Sequence, residues 1–356
     1  MNGSKGGNVF GAGKGYASTT GTSGEMTYGT TVVISDNAEI SRDVYGGGNY
    51  GYALESTKLY ISGNCSIGGN TFGGSNLKNG PTIDIEKKGG TLEGGLFGGS
   101  NANGTVTSVV MALSGDGIVK GGVYGGGYGT NSVSCNVTGT VGITMTGGTV
   151  LSGLYGGGNV NSTIGSTVTM QINGGQVGTP ESNANIHGGG YGSLTAVTGN
   201  VSVTLGASTS ATDSATVNGN VFGGSAHGRT NTGSTSNTTT VTMNKALVNG
   251  NLFGGALGNS AVVNGKITVT VNGGRVNGNI FGGGDAAAYS PNSNHPIVNM
   301  TGGQATNVFG GGKGSTAAVT GNPQVTLSGT ARVTGNVYGG GDAAAVSGQT
   351  NVILRD

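Results

Sequence analysis

The sequence predicts an all-β fold, a parallel β-solenoid of about twelve coils of roughly 30 residues each, and three observations predict it. A motif of one apolar residue, one aromatic residue, two glycines and a small residue recurs along the whole chain. A segment that alternates apolar and polar residues, as a half-buried strand does, precedes nearly every copy. Glycine-rich corners lie between the two elements. Such units are expected to stack on one shared core.

The aromatic position of the motif is the first candidate interaction site. Its copies are 25 to 35 residues apart. They are Phe10, Tyr45, Phe72, Phe97, Tyr124, Tyr155, His187, Phe222, Phe253, Phe281, Phe309 and Tyr338. The residue before each ring is β-branched or leucine, so we predict that it faces the core and that the ring faces outward. Because Phe, Tyr and His interchange there, we favour a semi-exposed ladder of rings, and the opposite assignment of strand faces, which buries the rings, stays open.

The alternating segment is clearest at residues 267–271, Ile-Thr-Val-Thr-Val. Its apolar residues are predicted to face inward and the residues between them outward. In seven related segments the outward residue is usually threonine. The sequence therefore predicts a hydroxyl ladder formed by Thr144, Thr169, Thr204, Thr242, Thr270 and Thr326.

A third short strand follows each glycine-rich corner. Residues 272–274, Asn-Gly-Gly, lead to a segment with one apolar residue, Val276, and Val150, Ile67 and Val333 are its counterparts.

A period near 30 residues fits one solenoid coil and falls short of the roughly 40–45 residues of a propeller blade. Coils stacked about 4.8 Å apart predict a rod about 50 Å long, right-handed by default, with insertions bulging outward as loops.

The whole chain, residues 1–356, is expected to be one solenoid domain. The ring motif at Phe10 has no strand before it, and the strand at residues 352–354 has no ring motif after it. Solenoids usually end in polar capping repeats, so we expect a fragment of a longer array. Cys65 and Cys135 fall in repeats three coils apart and are predicted to be free thiols.

Composition narrows the choice of partners. The net charge is +1, from 15 basic and 14 acidic residues spread thinly, so we expect no nucleic-acid partner. No apolar run approaches the roughly 20 residues of a membrane span, and direct membrane insertion is not expected. Residues 1–20 lack the basic and apolar segments of a signal peptide, so any export signal is expected to lie elsewhere.

The repeated Val-Phe/Tyr-Gly-Gly-Gly signature, as at residues 336–341 (Asn-Val-Tyr-Gly-Gly-Gly), resembles the glycine-rich β-solenoid regions of large bacterial surface proteins. Adhesins and autotransporter-type passengers are among them. The resemblance spans nearly the whole chain and rests on architecture, without a catalytic motif. It implies an extracellular or cell-surface location and a role in attachment.

Several groups of residues are candidates for a metal-binding or catalytic site. Residues 282–285 and 339–342, both Gly-Gly-Gly-Asp, partly resemble a calcium-binding nonapeptide, but the aspartate occurs in only two coils. The carboxylates Asp36, Glu39 and Asp43, or Asp84 and Glu86, have no nearby histidine to complete an acid and base pair. His187, His227 and His295 fall at different phases of the repeat. We therefore expect no metal, no cofactor and no catalytic activity.

Three functional classes remain open at this point. The favoured one is a structural or adhesive surface domain that acts through its stacked faces, either in self-association or on a glycan or protein ligand. The glycines that follow the rings are expected to stack into a strip nearly free of side chains. This strip and the neighbouring rings are one candidate face for self-association, although the same glycines would also simply allow the chain to turn sharply. A carbohydrate-active β-helix enzyme and an ice-binding solenoid, whose threonine arrays the hydroxyl ladder resembles, are the alternatives.

Overall fold

Three parallel sheets, each of twelve strands, run the length of the protein. The computed structural model describes residues 5–16, 24–207 and 215–356, and these form strands and turns without a helix. Neighbouring strands in each sheet are successive copies of the repeat, roughly 28 residues apart, so the chain makes about 11 solenoid turns. The predicted all-β parallel solenoid is confirmed.

The first sheet, the corner sheet, contains the short strands that follow the glycine-rich corners. Its strands are Lys5–Gly6, Glu39–Ile40, Ser66–Ile67, Thr91–Leu92, Ile118–Val119, Thr149–Val150, Gln176–Val177, Ala215–Val217, Ala246–Val248, Arg275–Val276, Gln304–Ala305 and Arg332–Val333. The second sheet, the ring sheet, contains the aromatic motif. Its strands are Val9–Phe10, Val44–Tyr45, Thr71–Phe72, Leu96–Phe97, Val123–Tyr124, Leu154–Tyr155, Ile186–His187, Val221–Phe222, Leu252–Phe253, Ile280–Phe281, Val308–Phe309 and Val337–Tyr338.

The third sheet, the long-strand sheet, contains the alternating segments. Its strands are Thr30–Ile34, Ser56–Ile61, Thr82–Lys87, Val109–Leu113, Val141–Met145, Val168–Ile172, Val201–Leu205, Thr238–Met243, Lys266–Val271, Ile297–Met300, Gln324–Leu327 and Asn351–Leu354. A fourth sheet stacks parts of the segments that the sequence predicted as loops. Its strands are Gly104–Val106, Cys135–Val137, Asn159–Ile164, Tyr191–Val197, Arg229–Thr230 and Val262–Val263. The loop prediction is therefore wrong for these segments, because they pair from coil to coil.

One continuous apolar interior lies between the three long sheets. In a single coil it receives Ile143 from the long-strand sheet, Val150 from the corner sheet and Leu154 from the ring sheet, all at most 1% exposed. The same three columns continue through the stack, as the sequence pattern predicts. Burying each such side chain stabilises the fold by about 1.5–3 kcal/mol. Every coil therefore depends on its neighbours to cover its apolar residues.

The glycines after each ring allow successive coils to approach closely. A Cβ atom on Gly125 would collide with the carbonyl oxygen of Gly156 in the next coil and with Cγ1 of Val141. The whole triplet Gly125, Gly126 and Gly127 is buried. Close packing of successive coils therefore requires glycine at Gly125, and these three buried residues do not form an open strip for a second rod.

Candidate functional site

A stack of rings follows the ring sheet on the side that faces away from the interior. The centroids of neighbouring rings are 4.7–5.2 Å apart, and their planes differ by at most 15°. In-register parallel strands place equivalent side chains one strand spacing apart, which suits flat rings stacked face to face. All twelve predicted ladder residues take part, so the predicted ladder exists as one stack.

The expected semi-exposure of this ladder is wrong for most of its members. The buried rings are those of Tyr45, Phe72, Phe97, Tyr155, His187, Phe222, Phe253, Phe281 and Phe309. Phe10 and Tyr124 are half-buried, and Tyr338 in the final coil is 44% exposed. Strand alternation does turn the rings away from the interior, but a further part of each coil covers them.

Part of the covering comes from residues four positions after the rings from Tyr45 onward, where the chain leaves the glycine triplet and bends back. We call these residues the cover column. They are Asn49, Asn76, Asn101, Tyr128, Asn159, Tyr191, Ala226, Leu257, Asp285, Lys313 and Asp342. Leu257 packs against the phenylalanine rings, and the Asn101 side-chain amide donates a 3.2 Å hydrogen bond to the Tyr45 hydroxyl.

Two tyrosines make the cover column aromatic over part of its length. The ring of Tyr128 lies 5.4 Å from that of Phe97 at 63°, and the ring of Tyr191 lies 5.6 Å from that of Tyr155 at 69°. Tyr191 also meets the exposed His227 at 6.3 Å. Tyr128 is 36% exposed and Tyr191 is 44% exposed. This aromatic pair was not identified from the sequence, because neither tyrosine belongs to the ring motif.

Burial of the ladder shifts the pKa values of its titratable members. The imidazole of His187 is enclosed between Tyr155 and Phe222, and this burial, helped by His227, lowers its pKa to about 3. Its Nδ1 atom has no hydrogen-bond partner. Burial also raises the pKa of Tyr155 to about 12. His187 is thus a neutral flat ring at physiological pH, which is consistent with the aromatic role that the sequence predicts.

The predicted threonine ladder divides into two outward columns on the long-strand sheet. Thr144 is in register with Gln171, whereas Thr169 is in register with Gly142 and Ser202. The column of Thr144 continues through Thr204, Thr242, Thr270, Asn299 and Thr326. Placing Thr169 in that column is therefore wrong. The segment Val168–Ile172 alternates over its whole length, so the pattern alone fits two registers two residues apart.

Three consecutive strands carry hydroxyl groups in both outward columns. The six residues are Ser202, Thr204, Thr240, Thr242, Thr268 and Thr270. All six are partly exposed, and the strands that carry them are parallel and in register. The result is a flat array of two hydroxyl ranks, whereas elsewhere these columns include charged residues such as Lys58, Asp84 and Glu86.

Asparagine ladders form a feature that sequence analysis missed. In many coils an asparagine stands two positions before the ring, and its side-chain oxygen accepts a hydrogen bond from the equivalent backbone N–H in the next coil. Asn220 accepts from Asn251 at 2.8 Å, and Asn251 accepts from Asn279 at 2.8 Å. A second row joins Asn218, Asn249 and Asn277 through side-chain amides at 2.7 Å. The signal in the sequence was the recurrence of asparagine two positions before the ring.

The two amide rows border an open groove. Its volume is about 150 Å³, and Asn183, Asn185, Asn218, Gly219, Asn220, Asn249 and Gly250 line it. The side-chain N–H₂ groups of Asn220 and Asn251 donate to no partner within the described residues. Asn220 therefore presents an amide donor to this groove, and Asn251 presents one a coil further along the same asparagine row.

A lysine interrupts the interior. Lys87 is 2% exposed and is in register with Ile61 and Leu113. Its ammonium donates hydrogen bonds to the carbonyl oxygens of Gly89 at 2.8 Å and Gly90 at 2.9 Å. Burial lowers the pKa of Lys87 to about 8. Cys65 and Cys135 are buried free thiols, as predicted, and burial raises the pKa of both.

Several of the carboxylates that the sequence offers as chemical sites are hydrogen-bonded or ion-paired to neighbouring residues. Asp43 accepts hydrogen bonds from the Tyr45 hydroxyl and the Asn70 backbone, and Glu86 pairs with Lys88 at 2.8 Å. Asp285 pairs with Lys313 in the next coil at 3.1 Å. Among the described residues no group of three or more His, Cys, Asp or Glu side chains is arranged to hold a metal ion.

Comparison with known proteins gives no family for this chain. No protein-family model, no curated protein and no solved structure matches it. In the described ranges no helix is both long and apolar enough to span a membrane.

Proposed function

We propose that this chain is a non-enzymatic structural and adhesive repeat domain of a secreted or cell-surface bacterial protein. It acts through its stacked faces, either in self-association or in attachment to a surface glycan or protein. The observation that carries the proposal is the in-register stacking of about 11 turns, which places equivalent outward positions at intervals near 4.8 Å. Where the same residue type recurs at such a position in successive coils, the rod presents a regular row of like groups.

Regular rows suit attachment for a physical reason. Weak contacts that are repeated along one rigid body give a high overall affinity, because after the first contact has formed the others form at high effective concentration. The rows available here are amides, as at Asn220 and Asn251, and hydroxyls, as at Thr242 and Thr270. Both groups donate and accept hydrogen bonds, which suits polyhydroxyl ligands and the backbone of another chain.

Retention on an array of immobilised glycans and matrix proteins tests this proposal, together with sedimentation velocity over a hundredfold concentration range. We expect either selective retention on one class of surface ligand or mass that increases with concentration. A strictly monomeric rod that is retained on no surface would contradict the proposed function.

The hydroxyl array supports ice binding as a second candidate. Two ranks of Ser and Thr on three flat, in-register strands offer regularly spaced hydroxyl and methyl groups. Thermal hysteresis measures this activity directly. Replacing Thr242 and Thr270 with lysine should abolish any hysteresis, while the matched change of Thr144 outside the array should leave it unchanged. Absence of hysteresis in the unmodified protein removes this candidate.

A further inference from the structure

The orientation of Tyr128 and Tyr191 leaves one aromatic face of each open. Both faces of Phe97 are already covered, by Phe72 at 4.9 Å and Tyr124 at 4.8 Å. Phe97 can therefore meet Tyr128 only through its edge, and the inner face of Tyr128 lies on that edge. The same holds for Tyr191 over Tyr155, whose faces are covered by Tyr124 and His187. The outer face of Tyr128 is open to solvent, and that of Tyr191 is open beside the edge-on contact with His227, in agreement with the exposure of both tyrosines.

The spacing of these faces is set by the solenoid. Tyr128, Asn159 and Tyr191 are consecutive members of the cover column, so the two rings lie two coils, or about 10 Å, apart. Asn159 lies between them, and its side-chain oxygen is enclosed without a hydrogen-bond partner. Val160, the next residue, has a φ of 62°, a strained value for a β-branched side chain. Unsatisfied polar atoms and backbone strain concentrate at binding sites.

The residues around Tyr128 and Tyr191 limit the size of the apolar surface that the two rings form. Val133 and Leu194, five and three positions after the two tyrosines in the chain, are exposed apolar residues. Beyond the pair, the cover column changes to Asn101 on one side and Ala226 on the other, so the apolar surface is narrow. A stable protein interface buries about 800 Å² on each partner, and a narrow strip of two rings is poorly suited to that. A slender chain that crosses the coils fits better.

We infer that Tyr128, Asn159 and Tyr191 form a binding site for an extended β-1,4-linked glycan that runs along the solenoid axis. In such a glycan every second sugar presents the same face, and the disaccharide repeat is close to the spacing of the two rings. The C–H groups of a pyranose face pack on the open ring of each tyrosine, and the sugar between them lies over Asn159, whose side-chain N–H₂ donates to a sugar hydroxyl while its oxygen stays enclosed. This inference rests on the proposed adhesive function and specifies its ligand.

Titration calorimetry of the full chain with cellohexaose and chitohexaose tests the site, with α-linked maltohexaose as the geometric control. We expect at least one β-linked hexasaccharide to bind, and maltohexaose not to bind. Tyr128→Ala and Tyr191→Ala should each weaken binding roughly tenfold, because each removes one stacking face. Tyr191→Phe should retain binding, and Tyr28→Ala, at an exposed tyrosine away from the column, is the matched control. Thermal melts confirm that each variant is folded.

Three outcomes overturn the inference. They are failure of both β-linked probes to bind, equal binding of maltohexaose, and binding that survives Tyr128→Ala and Tyr191→Ala together. The same double variant on the array of immobilised ligands separates this inference from the proposed function. If the unmodified chain is retained there and the double variant is retained equally, the site is wrong but the adhesive function stands. If the unmodified chain is not retained and does not self-associate, the adhesive function itself fails.

Discussion

The interior and the ring ladder are built from the two adjacent residues of one short strand, yet they select different side chains. The first residue faces the interior and is Val, Leu, Ile or once Thr, as at Val221, Leu252 and Thr71. The second faces the ladder and is always a flat ring. Interior side chains mesh with those of two other sheets, so volume matters most there. Ladder rings contact their own copies at 4.7–5.2 Å, so flatness matters most.

Each region also contains one residue that can carry a positive charge, among those that the structure describes, and the two are accommodated differently. Lys87 reaches the carbonyl oxygens of Gly89 and Gly90, so its ammonium is hydrogen-bonded although it is buried. His187 has no partner for Nδ1. The interior can thus satisfy a long polar side chain at its corner, whereas the ladder admits a polar ring only in its neutral form.

The largest effect is expected from a charge in the interior. Val269→Asp places an unpaired carboxylate in a fully buried position and should lower the free energy of unfolding by about 5 kcal/mol. Hydrogen exchange should show lost protection in the coils on both sides, because each coil covers the next. Thr270→Asp, one residue away and facing outward, is the matched control and should have little effect. Equal melting of Val269→Asp and the unmodified protein would contradict the assigned strand faces.

Removal of a ladder ring should follow in size. Phe253→Ala is expected to lower the free energy of unfolding by about 4 kcal/mol, because it leaves a cavity between two stacked rings. Phe253→Leu restores apolar volume without flatness, and Phe253→Tyr restores flatness. If the flatness of the side chain determines stability in the ladder, urea unfolding will show that the Tyr variant is more stable than the Leu variant and the Leu variant more stable than the Ala variant. A leucine variant as stable as the phenylalanine protein would remove the distinction between the two regions.

Replacement of the buried lysine should stabilise the protein. Lys87→Leu matches its neighbour Leu113 and should raise the free energy of unfolding at pH 7 by about 2 kcal/mol. The folded pKa of Lys87 is about 8 and its ordinary value is 10.5, so between these pH values the unfolded chain holds the proton and the folded chain does not. Stability contributed at this site therefore rises with pH through that window. The advantage of the leucine variant should shrink from pH 8 to pH 10.5 in urea unfolding.

A smaller change is expected at His187. His187→Phe completes the row of carbon rings and should raise the free energy of unfolding by about 1 kcal/mol at pH 7. The folded pKa is about 3 against an ordinary 6.5, so on acidification the unfolded state gains a proton that the folded state does not. The unmodified protein should lose stability from pH 6.5 down to pH 3, and the Phe variant should lose less. Parallel pH profiles of the two proteins would show that His187 is not enclosed.

Much of the fold was predictable because the same sequence pattern occurs in nearly every copy of the repeat. The ring motif, the alternating strand and the corner strand each recur with the correct spacing, so Ile143, Val150 and Leu154 could be assigned to one interior from the sequence. The fourth sheet was not predictable in this way. Its strands, such as Cys135–Val137 and Arg229–Thr230, vary in length and composition and pair only because the coils beneath them are in register.

The candidate surfaces were less predictable than the fold. The ladder residues were identified correctly, but their burial depends on residues four positions later that share no side-chain type, from Asn101 to Leu257. Thr169 was assigned to the wrong column because a strictly alternating strand looks the same after a shift of two residues. The aromatic pair of Tyr128 and Tyr191 becomes a site only through stacking, which places residues 63 positions apart two coils from each other.

The most direct test of the stacked register is disulfide trapping on the long-strand sheet. Thr144→Cys with Gln171→Cys joins two positions that are in register in adjacent coils, where Cα atoms about 4.8 Å apart permit a disulfide. Thr144→Cys with Thr169→Cys joins positions offset by two residues, about 8 Å apart, beyond the reach of a disulfide. Under mild oxidation we expect the first pair to crosslink and the second to remain as thiols by mass spectrometry. Preferential crosslinking of the second pair would contradict the register on which the interior, the ladder and the glycan site all depend.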